Sequence, residues 1–239
     1  MNLPPPALVI RRAAERGQAD HGWLRSAHSF AFADYFDPEQ VEFGALRVIN
    51  EDRVAPAMGF PTHGHRDMEI ISYVIAGQLQ HRDSMGNGSV IRPGDVQHMS
   101  AGSGVLHSEF NPSPIEPVHF LQIWIKPDRS GIAPSYDQRH FGPEAKRGRL
   151  CLLAAGDGAQ GALRLQQDAR LSAALLDGDE KLDLRLDPGR RYYLHLIRGS
   201  LQAGAVALEA GDAIKLLGQN RLQLGQGCDA ELLLFDLAL

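Results

Sequence analysis

The chain repeats itself. Residues 75–80 read IAGQLQ and residues 197–202 read IRGSLQ, so that Gly77 and Gly199 stand 122 residues apart in a chain of 239. Each string is followed by a second punctuation, Pro93-Gly94-Asp95 in one copy and Ala210-Gly211-Asp212 in the other. Each copy therefore reads as an apolar strand, a glycine turn, a Leu-Gln strand, a hairpin and a Gly-Asp turn. The two glycines of a copy are 17 residues apart in the first and 12 in the second, which shortens the second hairpin. An offset of half the chain predicts two similar small β-barrels. Asp95 and Asp212 are expected to fix their turns by accepting hydrogen bonds from backbone amides.

The rest of the pattern agrees with strands. Leu79, His81 and Asp83 alternate with Gln80, Arg82 and Ser84, and Asn87-Gly88 supplies the hairpin turn. Phe120, Gln122 and Trp124 alternate with Leu121, Ile123 and Ile125. Leu182, Leu184 and Leu186 do the same ahead of Asp187-Pro188-Gly189. The segment 166–176 is open between helix and strand, and Leu171, Ala173 and Leu175 tilt it to strand. The fold class is all-β, with few short helices. Pro127, Gly131 and Pro134 punctuate a polar stretch and place the junction near residues 127–135, giving domains 1–133 and 134–239.

Composition narrows the function. Apolar residues make up 44% and charged residues 22%, so a packed core forms and bulk disorder is excluded. With 24 basic and 29 acidic side chains the net charge is −5, which argues against a grip on nucleic acid. No apolar run is long enough to span a bilayer, and the start MNLPPPALVIRRAAERG is not a signal peptide. Cys151 and Cys228 are expected as two free, buried thiols in a reducing cytoplasm.

Three of the ten histidines carry the chemistry. His63 and His65 are two apart and so project from one face of a strand; His107 and Glu109 repeat that spacing. If the two strands are neighbours, three imidazoles and one carboxylate converge. That donor set suits a first-row transition metal and leaves positions open for substrate. An acid–base pair of His107 and Glu109 without metal stays open as an alternative.

The stretch HGHRDMEIISYVIAGQLQHRDSMGNGSVIRPGDVQHMSAGSGVLHSEFN resembles the pirin family of the cupin superfamily, and within it the bacterial proteins credited with quercetin 2,3-dioxygenase activity. The segments at 21–38, 44–52 and 121–125 extend the resemblance. It implies a bicupin, two double-stranded β-helix barrels in one chain, whose N-terminal barrel binds one divalent metal through His63, His65, His107 and Glu109. Iron stands first, with nickel, manganese, cobalt, copper or zinc as alternatives. It also implies that Glu69, spaced like the glutamate ligand of many cupins, hydrogen-bonds nearby instead, and that His98 stays off the metal. His81, His119 and Gln122 are candidates to face the cavity. Trp23 and Trp124 are read as core, and Phe60, Met68, Met99 and Phe110 as an apolar mouth.

Shifting the ligand positions by the repeat offsets lands on Arg185, Asp187, Leu224 and Gln226, so one metal centre per chain is expected. The function implied is oxygenation of a flavonol by dioxygen with release of carbon monoxide, Glu109 acting as the base. The alternatives are a metal- or redox-sensing partner of a regulatory protein and an oxygenase with another substrate. A cytoplasmic monomer is expected.

Overall fold

The structure, a computed structural model, describes residues 5–239. Residues 1–4, which open the expected first domain and the proline-rich start, lie outside the described residues. Among the described residues the α-helix is a single turn, Pro143–Lys146, joined by two 3-10 turns at Ala13–Glu15 and Ala159–Gly161. The all-β expectation holds, the strand at Ala169–Leu176 included. Among the described residues no helix is long and apolar enough to cross a membrane.

The chain divides into two compact units. The first takes residues 17–141 and 165–167. It holds a seven-stranded antiparallel sheet in the order Ser135–His140, Asp95–Ser100, Glu69–Ala76, Val118–Ile125, Leu46–Val54, Leu24–His28, Gly17–Asp20. A four-stranded antiparallel sheet runs Gly59–His65, Val105–Phe110, Leu79–Asp83, Gly88–Ile91. The central strands EIISYVIA and VHFLQIWI read as nearly continuous apolar runs because both of their faces are buried. Val54, Val74 and Phe120 of the large sheet pack on Leu79 and Ile91 of the small one, and Ile70 and Met99 pack on Val105. Neither sheet closes on itself. The expected cupin fold is present as open, cupin-like sheets: interdigitated side chains, not a continuous ring of hydrogen bonds, seal the core.

The second unit takes the chain up to Arg16, then 142–164 and 168–239, around one nine-stranded sheet. Its spine is the pair Arg190–Ala203 and Arg221–Ala238, of 14 and 18 residues. Their pairing shifts register three times between Leu196 and Gln202. Bulges of this kind bend a strand, so that Leu194, Leu208, Leu224 and Leu234 reach one core cluster.

These units depart from the expected cut at 133/134. Ala7–Arg11 pairs with Ala213–Leu217 and so belongs to the C-terminal unit. Ser135–His140 pairs with Asp95–Ser100 and stays with the N-terminal one. The short piece 165–167 is also claimed by the first unit, where the Gln166 amide donates to Glu69 at 3.0 Å. Strand pairing, which is non-local, overrides the punctuation at Pro127 and Pro134. Cys151 and Cys228 are free, but Cys228 is exposed and Cys151 only half-buried, which corrects the expectation of buried thiols.

The repeat survives in backbone detail. Gly77 and Gly199 have φ of +75° and +71°, and Gly94 and Gly211 have +91° and +86°. Asp95 accepts from the Arg92 amide at 3.0 Å and Asp212 from the Glu209 amide at 3.2 Å, the same three-residue reach in both copies. The first hairpin is present, but its turn differs. Asp83 accepts from the Met85 and Asn87 amides and the positive φ falls on Gly86, so Asn87 ends the turn and Gly88 begins the returning strand.

A Cβ at Gly77 would lie 2.6 Å from the Pro117 carbonyl oxygen, and one at Gly199 2.2 Å from that of Cys228. Gly77→Ala and Gly199→Ala are each expected to destabilise the chain by about 2 kcal/mol or more. Gly88→Ala, with nothing nearer than 3.9 Å, should change stability by less than about 1 kcal/mol. Urea-unfolding midpoints check all three.

Candidate metal centre

Two strands of the small sheet build the site. In the antiparallel pair of Gly59–His65 with Val105–Phe110, His63 lies directly opposite His107 and His65 opposite Val105. Opposed residues share a face, and His65, two residues from His63, shares it too. The three rings converge, with centroids 4.4 to 4.9 Å apart.

The register then slips: Glu109 faces Phe60 rather than Pro61. Two residues, Pro61 and Thr62, stand against Ser108 alone, which makes a β-bulge. Proline has no N–H to give a ladder and is tolerated at such breaks. Pro61 also supplies the carbonyl that lies 2.8 Å from His63 Nδ1. A carbonyl only accepts, so Nδ1 carries the proton and the neutral ring keeps its lone pair on Nε2. That Nε2 lies 3.0 Å from His107 Nε2. Two imidazole nitrogens, each roughly 2.1 Å from one first-row ion, stand about 3 Å apart. Fixing the far nitrogen by a carbonyl is the support that metal-bound histidines usually have. The donor set fits a first-row transition ion held by His63, His65 and His107.

Electrostatics agree. Burial, helped by repulsion from His63, lowers the pKa of His65 to about 4. Burial, with His63, His65 and His81 around it, lowers His107 to about 3. Both rings are therefore neutral near pH 7, as ligation requires.

Glu109 lines the same cavity as His63 and His65 but keeps different near neighbours. Its ligand atoms group with His107 and His81, while His63 and His65 group with His107 alone. The strand registers are the physical reason: Glu109 lies directly across from His81 on one neighbouring strand and, past the bulge, across from Phe60 on the other, two residues beyond His107 and away from His65. Glu109 accepts hydrogen bonds from Gln122 Nε2 at 2.7 Å and Ser72 Oγ at 3.1 Å. Burial pushes its carboxyl up to about 7 against the pull of those two bonds, with Asp52 adding to the rise.

His81 is fully buried, with Nε2 3.2 Å from Asp83 and its ring 5.4 Å from that of His107. Burial alone would raise Asp83, but bonds from Asn87, His81 and Met85 hold it below the ordinary carboxylate range. Of the other candidates, Gln122 lines the cavity, whereas His119 bonds Glu51 at 2.9 Å and does not. Glu69 takes bonds from His98 at 2.8 Å and from Ser100 and Gln166, away from the three histidines, as the resemblance implied.

A cavity of about 360 Å³ opens in front of His63, His65 and Glu109. Its apolar wall is Phe32, Tyr35, Phe60 and Trp124. Trp124 meets His65 edge-on at 4.9 Å and Phe32 at 5.4 Å, so it faces the cavity rather than serving only the core. Of the expected mouth only Phe60 is there; Met68 and Met99 pack with Ile70 and Val105, and Phe110 points to solvent. Sequence reading also missed a polar wall of Ser26, His28, Asn50 and Asp52. His28 Nδ1 lies 2.8 Å from Asn50 Oδ1, and Ser26 donates to Asp52 in a short bond. Alternation in RSAH and VINED was the available signal, but which face turned inward depended on pairing between distant segments.

Known proteins match this chain in sequence and in fold. Residues 9–125 match the family model described as Pirin, and residues 152–237 that of the quercetinase C-terminal cupin domain. A protein of Escherichia coli K12 named quercetin 2,3-dioxygenase is 41% identical over 230 residues, covering 96% of this chain and 98% of that one. The crystal structure of YhhW from Escherichia coli matches with a TM-score of 0.93 at 40% identity, over 97% of both chains. A structure of the same bacterial pirin in complex with nickel(II) matches with a TM-score of 0.92 at 40% identity, over 97% of this chain and 99% of that one. On its sequence and its fold, this chain belongs to the pirin family.

Proposed function

We propose that the chain is a metal-dependent dioxygenase that opens the heterocycle of flavonols, with one dioxygen consumed and one carbon monoxide released per turnover. The observation that carries this reading is the convergence of His63, His65 and His107, with the His63 tautomer set by Pro61, at the end of a cavity lined by aromatic rings. In this reading the three imidazoles hold one divalent ion, with Glu109 as the fourth ligand and the base. Iron is the proposed resident; nickel(II) occupies the structure of the Escherichia coli pirin. A bound ion supplies Lewis acidity toward a hydroxyl oxygen and a template for the two reactants.

The chain's own groups do the rest. Phe32, Phe60 and Trp124 take a flat aromatic body and exclude water from it. Glu109 receives the proton of the flavonol 3-hydroxyl. A carboxyl pushed up to about 7 is matched to that task near neutral pH, since it takes a proton readily without being permanently protonated. Gln122 and Ser72 hold the carboxylate through its two oxygens, which fixes where the proton is accepted.

Four outcomes are expected. Iron- or nickel-loaded protein in air should bleach quercetin absorbance and release an equal amount of carbon monoxide. His107→Ala should lower that rate at least 100-fold with an unchanged far-ultraviolet circular dichroism spectrum; retained turnover contradicts the reading. Metal affinity, measured by competition with a chelator, should weaken as pH falls through about 7, because Glu109 is then protonated. Glu109→Gln should remove that limb. Gln122→Leu deletes a bond that favours the charged carboxylate, so in metal-free protein it should raise the Glu109 pKa further, by about 1 unit, as read by infrared difference titration.

A further inference from the structure

Asp52 is a carboxyl with too few hydrogen-bond donors, facing a cavity. It is 4% exposed and lines the same cavity as His63, His65 and Glu109. A carboxylate has about four acceptor positions. Asp83, in the same unit, fills them with the Met85 and Asn87 amides, Asn87 Nδ2 and His81 Nε2. Glu109 has two donors. Among the described residues Asp52 has one, the Ser26 hydroxyl. Burial without compensating donors is costly for a charged oxygen, and it pushes this carboxyl up to about 7 against the pull of Ser26. A ligand in the cavity that brings a donor relieves that cost.

The surroundings choose the kind of donor. An ammonium group would sit in a cavity that also receives the proposed metal cation, and like charges repel across a low-dielectric space. A neutral hydroxyl carried on an aromatic ring meets no such penalty, and its ring matches Phe32, Tyr35 and Trp124. Ser26 keeps the acceptor in place from the neighbouring strand, where it lies directly opposite Asp52. We propose that Asp52, held by Ser26, determines specificity in this cavity by accepting a hydrogen bond from a phenolic hydroxyl of the flavonol other than the 3-hydroxyl. The choice of ligand rests on the dioxygenase reading; the role of Asp52 as acceptor rests on its own geometry.

The test compares two ligands on the full-length, nickel-loaded protein under argon, by quenching of tryptophan fluorescence. Quercetin carries phenolic hydroxyls beyond the 3-hydroxyl, and 3-hydroxyflavone carries none. Asp52→Leu, similar in size and unable to accept, should weaken quercetin binding at least about 10-fold, or about 1.4 kcal/mol, and change 3-hydroxyflavone binding by less than about twofold. Asp52→Asn, which keeps one acceptor oxygen, should fall between wild type and Asp52→Leu for quercetin. Thermal melts confirm that the variants are folded, and if Asp52→Leu does not fold, Asp52→Asn alone decides by the same contrast. Equal losses for both ligands, or no loss for either, overturn the assignment. Failure of the dioxygenase reading looks different: the wild type would bind quercetin better than 3-hydroxyflavone in an Asp52-dependent way yet consume neither in air.

Discussion

Antiparallel pairing between Gly59–His65 and Val105–Phe110 is the contact on which the rest of the N-terminal unit depends functionally. Neither strand alone holds more than two imidazoles or one imidazole and a carboxylate. Their register brings His63 against His107 and, past the bulge at Pro61-Thr62, Phe60 against Glu109. A slip of one residue would turn the histidines of one strand to the opposite face. The apolar contacts of Val105 with Ile70 and Met99 resist such a slip, because the same strand that carries His107 is anchored in the core through Val105.

Around that pair the unit separates two environments. On one side lie His63, His65 and His107, of which burial keeps His65 and His107 neutral and ready to bind a cation. On the other lie Ser26, His28, Asn50 and Asp52, set on adjacent strands of the large sheet and turned toward the same space. Glu109 connects them: it neighbours His107, is hydrogen-bonded to Ser72 and Gln122, and feels the charge of Asp52. Two carboxyls whose pKa values burial has raised toward neutrality, in one aromatic-walled space, are an arrangement suited to handling hydroxyl protons.

Much of this was legible in the sequence, for a physical reason. Spacing of two along a strand is a local property, so His63 with His65 and His107 with Glu109 announce themselves without knowledge of the fold. The repeat likewise rests on local turns, and Gly77 with Gly199 and Asp95 with Asp212 behave alike in both copies. What the residues did not disclose is set by pairing between distant segments. Ala7–Arg11 joins a sheet more than 200 residues away in sequence. The pairing of Val105–Phe110 with Leu79–Asp83 that groups Glu109 with His81 joins segments more than 20 residues apart. Ser26 and Asp52 are 26 residues apart, in separate segments that carry the family resemblance without spelling out a site, yet register places them face to face.

The central claim is that His63, His65 and His107 hold one transition-metal ion in the N-terminal unit. Anomalous diffraction at the nickel absorption edge, from crystals of nickel-loaded protein, tests it without reference to any activity. A single peak about 2.1 Å from His63 Nε2 and at bonding distance from the His65 and His107 rings is the result the account predicts. A peak elsewhere in the chain, or full nickel loading with the three rings turned away from the ion, would contradict it.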